Sequence, residues 1–518
     1  MQSMKARQGI AVAAAALCIA ACVLTGCPSG RTRDLHSRYD AYEWKMLVPM
    51  LTEILAFQTL AGNSEGHAAQ EKWLVAKARE LGFACRVEGP MTEIDLPGPE
   101  GAPVLGLVVH GDVTAVDERA WSSPPFTPVV KDGEIFGRGS ADDKGPLVQA
   151  LLAMKTIAES GARRTHTIRL LVGSDEESGA TDVKTYLETH SPPTLSLVLD
   201  SAFPVVVGEK AWNALTVTAP LAEREPARER SPRSWFVERL TAGVFTSIVP
   251  DRAECALRWE QGPPVWKPLV DRLRSRPLPE GTRLEVQEEG AGLIVLVHGK
   301  SAHAGVNITG GRNALVALAN LLDGELPDGG ASDLLAFAKL AGEDLHGTGL
   351  GITGSDPIFG RYDVNVATIL PAKDGAGHSL TINLRRTPPW TGPQLKAHLD
   401  GVVAAFNAGR GASLVPSGFY DDEPFSVNPD SRLVKRLLAA FEKAAGQKAP
   451  PAISGGGTYA KRLPNAVAFG MWFPGKPYPG HDVDEHVPIA DLHRGVHVLL
   501  EALSDLACGD PMRDPLRP

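Results

Sequence analysis

The 518-residue chain lacks the features that mark several common classes of protein. It has no excess of basic residues, since its net charge is −9, and its composition therefore gives no support for nucleic-acid binding. It shows no internal repeats. With 43% hydrophobic and 22% charged residues it has ordinary globular composition, so a disordered chain is excluded and two or more domains are expected.

Cysteine is scarce, and outside the N-terminal segment only Cys85, Cys255 and Cys508 occur. Three scattered cysteines cannot build a disulfide framework. None has the spacing of a metal site, so we expect each to be a small buried residue with no catalytic role.

Long apolar runs are also missing, except near the N-terminus. Lys5 and Arg7 precede an apolar run over residues 10–24 that is too short for a membrane-spanning helix, and Leu-Thr-Gly-Cys27 follows. This pattern is typical of a bacterial lipoprotein signal. We therefore expect residues 1–27 to be a signal peptide whose Cys27 is lipidated, and the protein to be exported and membrane-anchored in the cell envelope. An uncleaved anchor or a buried helix is the alternative.

Strand and helix patterns alternate over residues 42–211, which predicts the first part of an α/β domain with a mostly parallel sheet. The polar residues 28–41 before it are predicted to be a linker. Shorter β-type runs among many prolines and glycines predict an inserted α+β domain over residues 212–400. Residues 401–518 are too few to bury a core alone, so we expect them to return to the first domain.

Charged side chains follow two strand patterns that read as buried, residues 104–110 and 167–173. Charge at the carboxyl end of a buried strand often marks a functional site. His110 ends the first strand, and Asp112 points to the same side. Asp112 can supply the carboxylate that fixes the tautomer of a metal-binding imidazole, although an ordinary strand-end salt bridge is the alternative.

Two acidic pairs extend this pattern. Asp142 and Asp143 lie in a glycine-rich turn, residues 137–146, that can aim a carboxylate between two cations, although helix capping is the alternative. Glu176 and Glu177 follow the second strand, where one carboxylate can bind a cation while the other takes a proton from water. An acidic helix N-terminus is the alternative there.

Two further candidates are Asp200, which ends an apolar run, and His481 near the C-terminus. Together these residues can make two sites with three ligands each. One site has a histidine and an aspartate, the other has a second histidine and a glutamate, and both share a further aspartate. Each site leaves room for water, as catalytic zinc prefers.

These segments resemble the co-catalytic zinc metallopeptidases of the aminoacylase, ArgE/DapE and glutamate carboxypeptidase group, over nearly the whole chain after the signal segment. Within that group the chain is most similar to the dipeptidase branch, PepV and Sapep-like. The branch resemblance rests on residues 137–146, 203–204, 209–210 and 454–460.

The resemblance implies a zinc-peptidase catalytic domain with two Zn²⁺ ions per chain, and Mn²⁺ or Co²⁺ would suit the same donors. It implies five ligands, namely His110, Asp142, Glu177, Asp200 and His481. Asp142 would bridge the two ions, and Glu176 would be the general base.

The resemblance also implies that the insert is a lid that carries residues to the substrate. His303 would donate to the developing oxyanion, and Arg385 would hold a carboxylate, with Asn383 beside it. Glycines let backbone N–H groups approach a bound carboxylate closely. The resemblance implies this role for three glycines, namely Gly455, Gly456 and Gly457. A structural role for His303 and Arg385, and a plain glycine turn, are the alternatives.

Three segments depart from the usual pattern of the family. Residues 114–115 are Thr-Ala where Val-Pro is usual, Ser247 stands where Asn is usual, and residues 305–308 replace Ser-x-Pro-Glu. None is a predicted metal ligand, so the departures bear on substrate preference and lid contacts.

The expected function is therefore that of a zinc-dependent exopeptidase acting on short peptides, with a dipeptidase favoured. An N-acyl amino-acid deacylase or a carboxypeptidase is the alternative within the family, and an inactive tethered binding lipoprotein is the alternative of another class. The expected partners are a small peptide and, through the lipid anchor, a membrane, while the oligomeric state is left open.

Overall fold

The computed structural model describes residues 28–220, 234–260, 262–372, 377–512 and 514–517. The predicted signal segment, residues 1–27 with Cys27, lies outside the described residues. Among the residues that are described, none of the helices combines the length and the apolar character needed to cross a bilayer.

The chain alternates helices and strands in its first part and is rich in strands in its middle. The α-helices are α1 (Pro28–Asp40), α2 (Glu43–Leu55), α3 (Ser64–Glu80), α4 (Lys144–Glu159), α5 (Thr181–Leu187), α6 (Lys267–Ser275), α7 (Ala314–Leu321), α8 (Gly330–Ala341), α9 (Gly392–Arg410), α10 (Arg432–Ala445) and α11 (Ile489–Leu506). The strands are β1 (Ala84–Glu88), β2 (Met91–Leu96), β3 (Val104–His110), β4 (Val129–Lys131), β5 (Glu134–Phe136), β6 (Thr167–Gly173), β7 (Leu195–Val198), β8 (Ser201–Ala202), β9 (Val206–Glu209), β10 (Ala211–Pro220), β11 (Trp235–Ala242), β12 (Arg252–Trp259), β13 (Arg283–Glu289), β14 (Gly292–His298), β15 (Ser355–Asp356), β16 (Gly360–Arg361), β17 (Asp363–Pro371), β18 (Gly377–Arg386), β19 (Val415–Asp422), β20 (Phe425–Ser426), β21 (Ala452–Ser454), β22 (Ala466–Ala468), β23 (Met471–Trp472) and β24 (His486–Pro488).

The first domain is built on a sheet with the strand order β1-β2-β6-β3-β7-β22-β9-β20, with β21 beside β9. Its central strands β6, β3, β7 and β22 run parallel. Helices α2, α4, α10 and α11 cover one face and α5 covers the other, so β3 is buried and almost wholly apolar, and β6 is buried and apolar from Leu170 onward. The predicted α/β class with a mostly parallel sheet is confirmed.

The inserted domain is an antiparallel sheet with the order β13-β14-β12-β11-β17-β18-β10-β19, and it has its own apolar core. We call this domain the lid. Strand β10 leaves the first domain directly after β9, and β19 returns beside β10 to reach β20, which pairs with β9. Two adjacent strands therefore connect the lid to the first domain.

The lid extends further along the chain than residue 400, the boundary expected from the sequence. After α9 the chain forms β19, which pairs with β10 along the lid sheet. The expected boundary was wrong because β10 would otherwise be an exposed sheet edge, and the strand that covers it follows the helix that reverses the chain. The lid therefore ends at Asp422.

The expected linker over residues 28–41 is also not what the structure contains. Residues 28–40 form α1, which packs against α4 and α11. Leu35 and Tyr39 lie four residues apart on one helical face, and both are buried in the main core. The segment is polar overall, but these two apolar side chains are enough to dock one face of a helix.

Candidate active site

The predicted metal ligands come from five separate segments that meet at the carboxyl edge of the parallel strands. His110 ends β3, Glu177 follows β6, Asp200 follows β7, and the other two residues come from loops. Their ligand atoms fall into two groups, each with all atoms within 4.8 Å of one another: His110 with Asp142 and Asp200, and Asp142 with Glu177 and His481. The structure therefore brings together every residue predicted as a ligand.

Asp142 lies between the two groups and belongs to both. Its Oδ1 is 2.9 Å from Nε2 of His110, and its Oδ2 is 3.1 Å from Nε2 of His481. His481 Nε2 is also 2.9 Å from Oε1 of Glu177, and His110 Nε2 is 3.9 Å from Oδ2 of Asp200. A carboxylate with one oxygen directed to each group is placed to bridge two cations.

The charge balance of these residues fits bound cations. Burial raises the pKa of Asp200 well above its ordinary value, and the neighbouring Asp142 and Asp143 raise it further. Burial likewise raises the pKa of Glu176. Grouped buried carboxylates need compensating positive charge, and imidazole nitrogen with carboxylate oxygen is the donor set that zinc and similar divalent ions prefer. The residues present therefore fit two divalent cations.

Asp112 orders the site from behind the ligands. Its Oδ1 accepts a hydrogen bond from the Glu176 N–H at 3.2 Å, and its Oδ2 accepts one from the Glu177 N–H at 3.0 Å. His110 Nδ1 lies 2.9 Å from the Asp112 carbonyl oxygen and 3.5 Å from the carboxylate. The backbone carbonyl is thus the nearer acceptor, and it leaves Nε2 of His110 available as a ligand. The side chain of Asp112 lies close to the imidazole and also holds the turn that carries Glu176.

Two alternatives to the metal interpretation do not match the structure. Asp143 precedes α4, but its side chain does not cap that helix and instead accepts a hydrogen bond from the His110 N–H at 3.1 Å. Glu176 and Glu177 lie in a turn, and α5 begins only at Thr181. These carboxylates are therefore held at the site rather than at helix ends.

Sequence reasoning missed Glu485, which shapes the turn that carries Asp142. Its buried carboxylate accepts hydrogen bonds from the Arg138 guanidinium at 2.6 Å and from the N–H groups of Gly139 at 3.0 Å, Ala141 at 2.8 Å and Asp142 at 3.1 Å. Arg138 lies 347 positions earlier in the chain. Only the tertiary structure identifies this role, because no local pattern joins the two segments.

Two tyrosines, the half-buried Tyr478 and the buried Tyr459, were missed as well. The hydroxyl of Tyr478 donates to Oδ2 of Asp142 at 2.7 Å. The hydroxyl of Tyr459 donates to Asp182, whose Oδ2 also accepts from the N–H groups of residues 174 and 175 at 2.7 and 2.9 Å. The first tyrosine steadies the shared ligand, and the second supports the turn that leads to the acidic pair after β6.

A cavity of about 670 Å³ lies beside the metal groups and is lined by both domains. His303 of the lid faces it, with its ring centroid 4.5 Å from that of His481. Its Nδ1 accepts from the N–H groups of Gly305 at 3.1 Å and Val306 at 2.9 Å, so Nε2 carries the proton. Burial, together with His481 and Arg385, holds the pKa of His303 well below its usual value. His303 is therefore a neutral donor that can face a developing oxyanion.

We predict that His303→Ala lowers kcat about 10²- to 10³-fold with a smaller change in KM, because an oxyanion donor acts mainly in the transition state. The loss should be equal at pH 6 and pH 8, since the imidazole is neutral at both. Steady-state kinetics on a short peptide measures it. His298→Ala, at the end of a lid strand and facing Glu285, is the matched control and should leave kcat unchanged. An equal loss in both variants would contradict the assignment.

Arg385 is buried and lines the cavity. Its Nε donates to Oδ1 of Asn383 at 3.0 Å, and its Nη2 donates to Oγ of Ser247 at 3.4 Å. Burial lowers its pKa to about 9, so the guanidinium stays charged at neutral pH. Asn383, expected to contact substrate, lies behind Arg385 and donates to the Asn213 carbonyl at 3.2 Å. Asn383 therefore positions the arginine and does not line the cavity.

The glycine run after β21 forms one wall of the cavity and meets the lid. The three predicted glycines that line the cavity are Gly455, Gly456 and Gly457. A Cβ on Gly455 would lie 1.8 Å from the Gly305 carbonyl oxygen, and one on Gly305 would lie 2.5 Å from that of Gly455. Glycine is needed on both sides of this contact, which accounts for the unusual Gly305 after His303.

Comparison with known proteins gives a family match and several similar relatives. Residues 106–505 match the model of the Peptidase family M20/M25/M40. The Bacillus subtilis protein called "Putative dipeptidase YtjP" is 31% identical over 409 residues, which are 79% of this chain and 84% of that protein. The Beta-Ala-Xaa dipeptidase of Lactobacillus delbrueckii subsp. lactis is 27% identical over 406 residues, 78% of this chain and 82% of the relative.

Solved structures share the fold at much lower identity. The di-peptidase Dug1p of Saccharomyces cerevisiae superposes with a TM-score of 0.58 at 12% identity, covering 91% of this chain and 98% of that one. Human carnosine dipeptidase 1 superposes with a TM-score of 0.57 at 12% identity and the same coverage. The two-domain architecture described above is therefore shared with both structures.

Proposed function

Because the chain belongs to peptidase family M20/M25/M40 and is a metallopeptidase, we propose that it is a dipeptidase that uses two zinc ions. Relatives named as dipeptidases support the substrate class. The observation that carries the proposal is the placement of Arg385, a buried cation that lines the same cavity as residues of the two metal groups. Such a cavity suits a short substrate with a free carboxylate.

Zinc is the metal proposed, with Mn²⁺ or Co²⁺ able to use the same donors. Each group offers one imidazole and two carboxylates, and a zinc ion held by three such ligands would keep room for a water molecule. When bound, the cations supply Lewis-acid polarisation of the scissile carbonyl and acidify the attacking water. Thiolate ligands, which would favour a purely structural site, do not occur in either group.

The residues of the chain perform the remaining steps. Glu176 accepts the proton of the attacking water on its carboxylate and returns it to the leaving amine nitrogen. His303 donates its Nε2–H to the oxyanion that develops on the carbonyl oxygen. Arg385 holds the substrate carboxylate and so places the scissile bond, while the close contact between Gly305 and Gly455 joins the lid to the wall of the cavity.

The test compares zinc-loaded protein on a panel of dipeptides, dipeptide amides, tripeptides and N-acetyl amino acids, with amino-acid release measured by chromatography. Dipeptides should give the highest kcat/KM. The matched dipeptide amides should lose about a hundredfold, because they leave the Arg385 guanidinium buried without its partner. In Arg385→Met this preference for the acid over the amide should largely disappear.

An N-acyl amino-acid deacylase is the second candidate, because an acyl amino acid presents the same carboxylate to Arg385. Faster turnover of N-acetyl amino acids than of dipeptides would reject the dipeptidase and establish the deacylase. Preferred release of single residues from the carboxyl end of tripeptides would instead establish a carboxypeptidase. The complete ligand set, with Glu176 beside it, argues against the hypothesis of an inactive binding protein.

We also propose that the protein is an exported lipoprotein anchored in the cell envelope through Cys27. The support is the sequence alone, namely the basic residues, the short apolar run and the Leu-Thr-Gly-Cys27 segment. The described structure begins directly afterwards with α1, so the catalytic domain would follow the anchor closely.

Metabolic labelling with palmitate tests the anchor. The unsubstituted protein should take up label and sediment with membranes, and Cys27→Ser should abolish both. Cys85→Ser, at a half-buried cysteine of strand β1, is the matched cysteine control and should keep the label. Membrane association that survives Cys27→Ser would reject the anchor.

A further inference from the structure

A second group of possible metal donors lies outside the substrate cavity, where three helices meet. Asp40 is the last residue of α1, and Glu43 is the first residue of α2. His493 and His497 lie four residues apart on α11, which places both rings on the same helical face. The donor atoms of Asp40, His493 and His497 all lie within 4.8 Å of one another.

The distances indicate a common point between these donors. Oδ1 of Asp40 lies 2.7 Å from Nε2 of His497 and 3.6 Å from Nε2 of His493. Ligands at about 2.0–2.2 Å from a tetrahedral zinc ion are separated from one another by about 3.3 Å. Each imidazole thus directs its Nε2 to Oδ1 of Asp40, and the distances between nitrogen and oxygen are close to those between two ligands of one cation.

The surroundings hold the donors in place. Tyr39 stacks on the ring of His493, and the ring of His36 stacks on that of His497 with centroids 4.2 Å apart. Nδ1 of His493 is buried without a hydrogen bond and lies 3.7 Å from Oε1 of Glu43. A carboxylate that faces the second nitrogen of a metal-binding imidazole is the usual outer support of such a ligand.

The backbone also favours a cation at this place. Asp40 ends α1, and the C-terminal end of a helix carries partial negative charge. Without a cation, Asp40 and the two histidines would form only a partly exposed ion pair, which contributes little to stability. Several aromatic rings and carboxylates are nevertheless packed around these three residues.

We propose that Asp40, His493 and His497 form a third divalent-metal site, suited to zinc, that fastens α1 to the C-terminal helix α11. The site does not depend on the proposed dipeptidase activity. It would stabilise the docked position of the helix that directly follows Cys27, and so hold the N-terminal segment against the catalytic domain.

The first experiment counts metals. The full chain is stripped with a chelator, titrated with Zn²⁺ alone and analysed for metal after dialysis. The unsubstituted protein should bind three ions, and the double variant His493→Gln/His497→Gln should bind two. Asp40→Asn, a milder change on an exposed residue, should weaken the third affinity by at least about tenfold.

His190→Gln is the matched control, because His190 is also partly exposed and faces a single carboxylate, that of Glu88, at 3.5 Å. It should keep all three ions. Two remaining ions in the double variant also show that its catalytic domain is folded. Binding of only two ions by the unsubstituted protein, or of equal numbers by it and the double variant, would overturn the proposal.

Limited proteolysis at Arg38 gives a second readout that does not depend on activity. Zinc at a hundred times the dissociation constant of the site should slow cleavage of α1 about a hundredfold, since cleavage proceeds through the undocked state. The double variant should show no such protection. Equal protection in both proteins would show that the effect comes from the catalytic ions alone and would overturn the site.

Discussion

Replacement of Glu176 by glutamine lowers kcat by about 10²- to 10⁴-fold while the number of bound metals stays the same. The amide keeps the shape of the side chain but cannot accept a proton from water. Glu176 lines the cavity, and its backbone N–H is held by Asp112, so the substitution removes the base without moving the turn. Stopped-flow or steady-state hydrolysis of a dipeptide measures kcat, and elemental analysis measures the metals.

Asp175→Asn is the matched control, because it removes a neighbouring carboxylate outside the cavity and keeps an acceptor for the Thr181 hydroxyl. Its kcat should stay close to that of the unsubstituted protein. A Glu176→Gln variant with full metal content and nearly normal turnover would show that another group is the base.

Asp142→Ala should produce a chain with two fewer metal ions than the unsubstituted protein and no measurable hydrolysis. Asp142 is the one residue that belongs to both ligand groups, so its loss reduces each group to two ligands. Metal content after dialysis and hydrolysis of a dipeptide are the measurements. Circular dichroism should remain native, since Glu485 holds the turn through backbone N–H groups of residues 139, 141 and 142 and through Arg138.

Asp200→Ala provides the comparison, because Asp200 belongs to one group only. It should cost a single ion and leave the group of Glu177 and His481 occupied. If Asp142→Ala and Asp200→Ala lost the same number of ions, Asp142 would not be a shared ligand.

Much of the fold and of the site chemistry could be predicted because both have local signals. An apolar run such as β3, ending in His110, has to be a buried strand, and polar side chains at its end have to face a common edge. Helix α3 is preceded by Gly62, which has a φ of +82°, and it ends shortly before Gly82, which has a φ of +80°. Such signals lie within a few residues of the element that they specify.

The elements that were placed wrongly lack a local signal of that kind. Strand β19 is half-exposed to exposed over most of its length, and its assignment to the lid depends on pairing with β10, about 200 residues earlier. Helix α1 docks through only Leu35 and Tyr39. Asn383 and Arg385 share one face of β18, and only the surrounding packing determines which of them reaches the cavity.

By itself the sequence determined the fold class, the chemical types of the candidate metal ligands and the acidic pair that contains the proposed base, because these follow from short patterns at strand ends. Only the tertiary structure decided that Asp142 lies between two histidines, that Glu485 holds its turn, and that the lid places His303 beside His481. Those relations join residues far apart in the chain, and their distances are set by the packing of two domains rather than by any local preference.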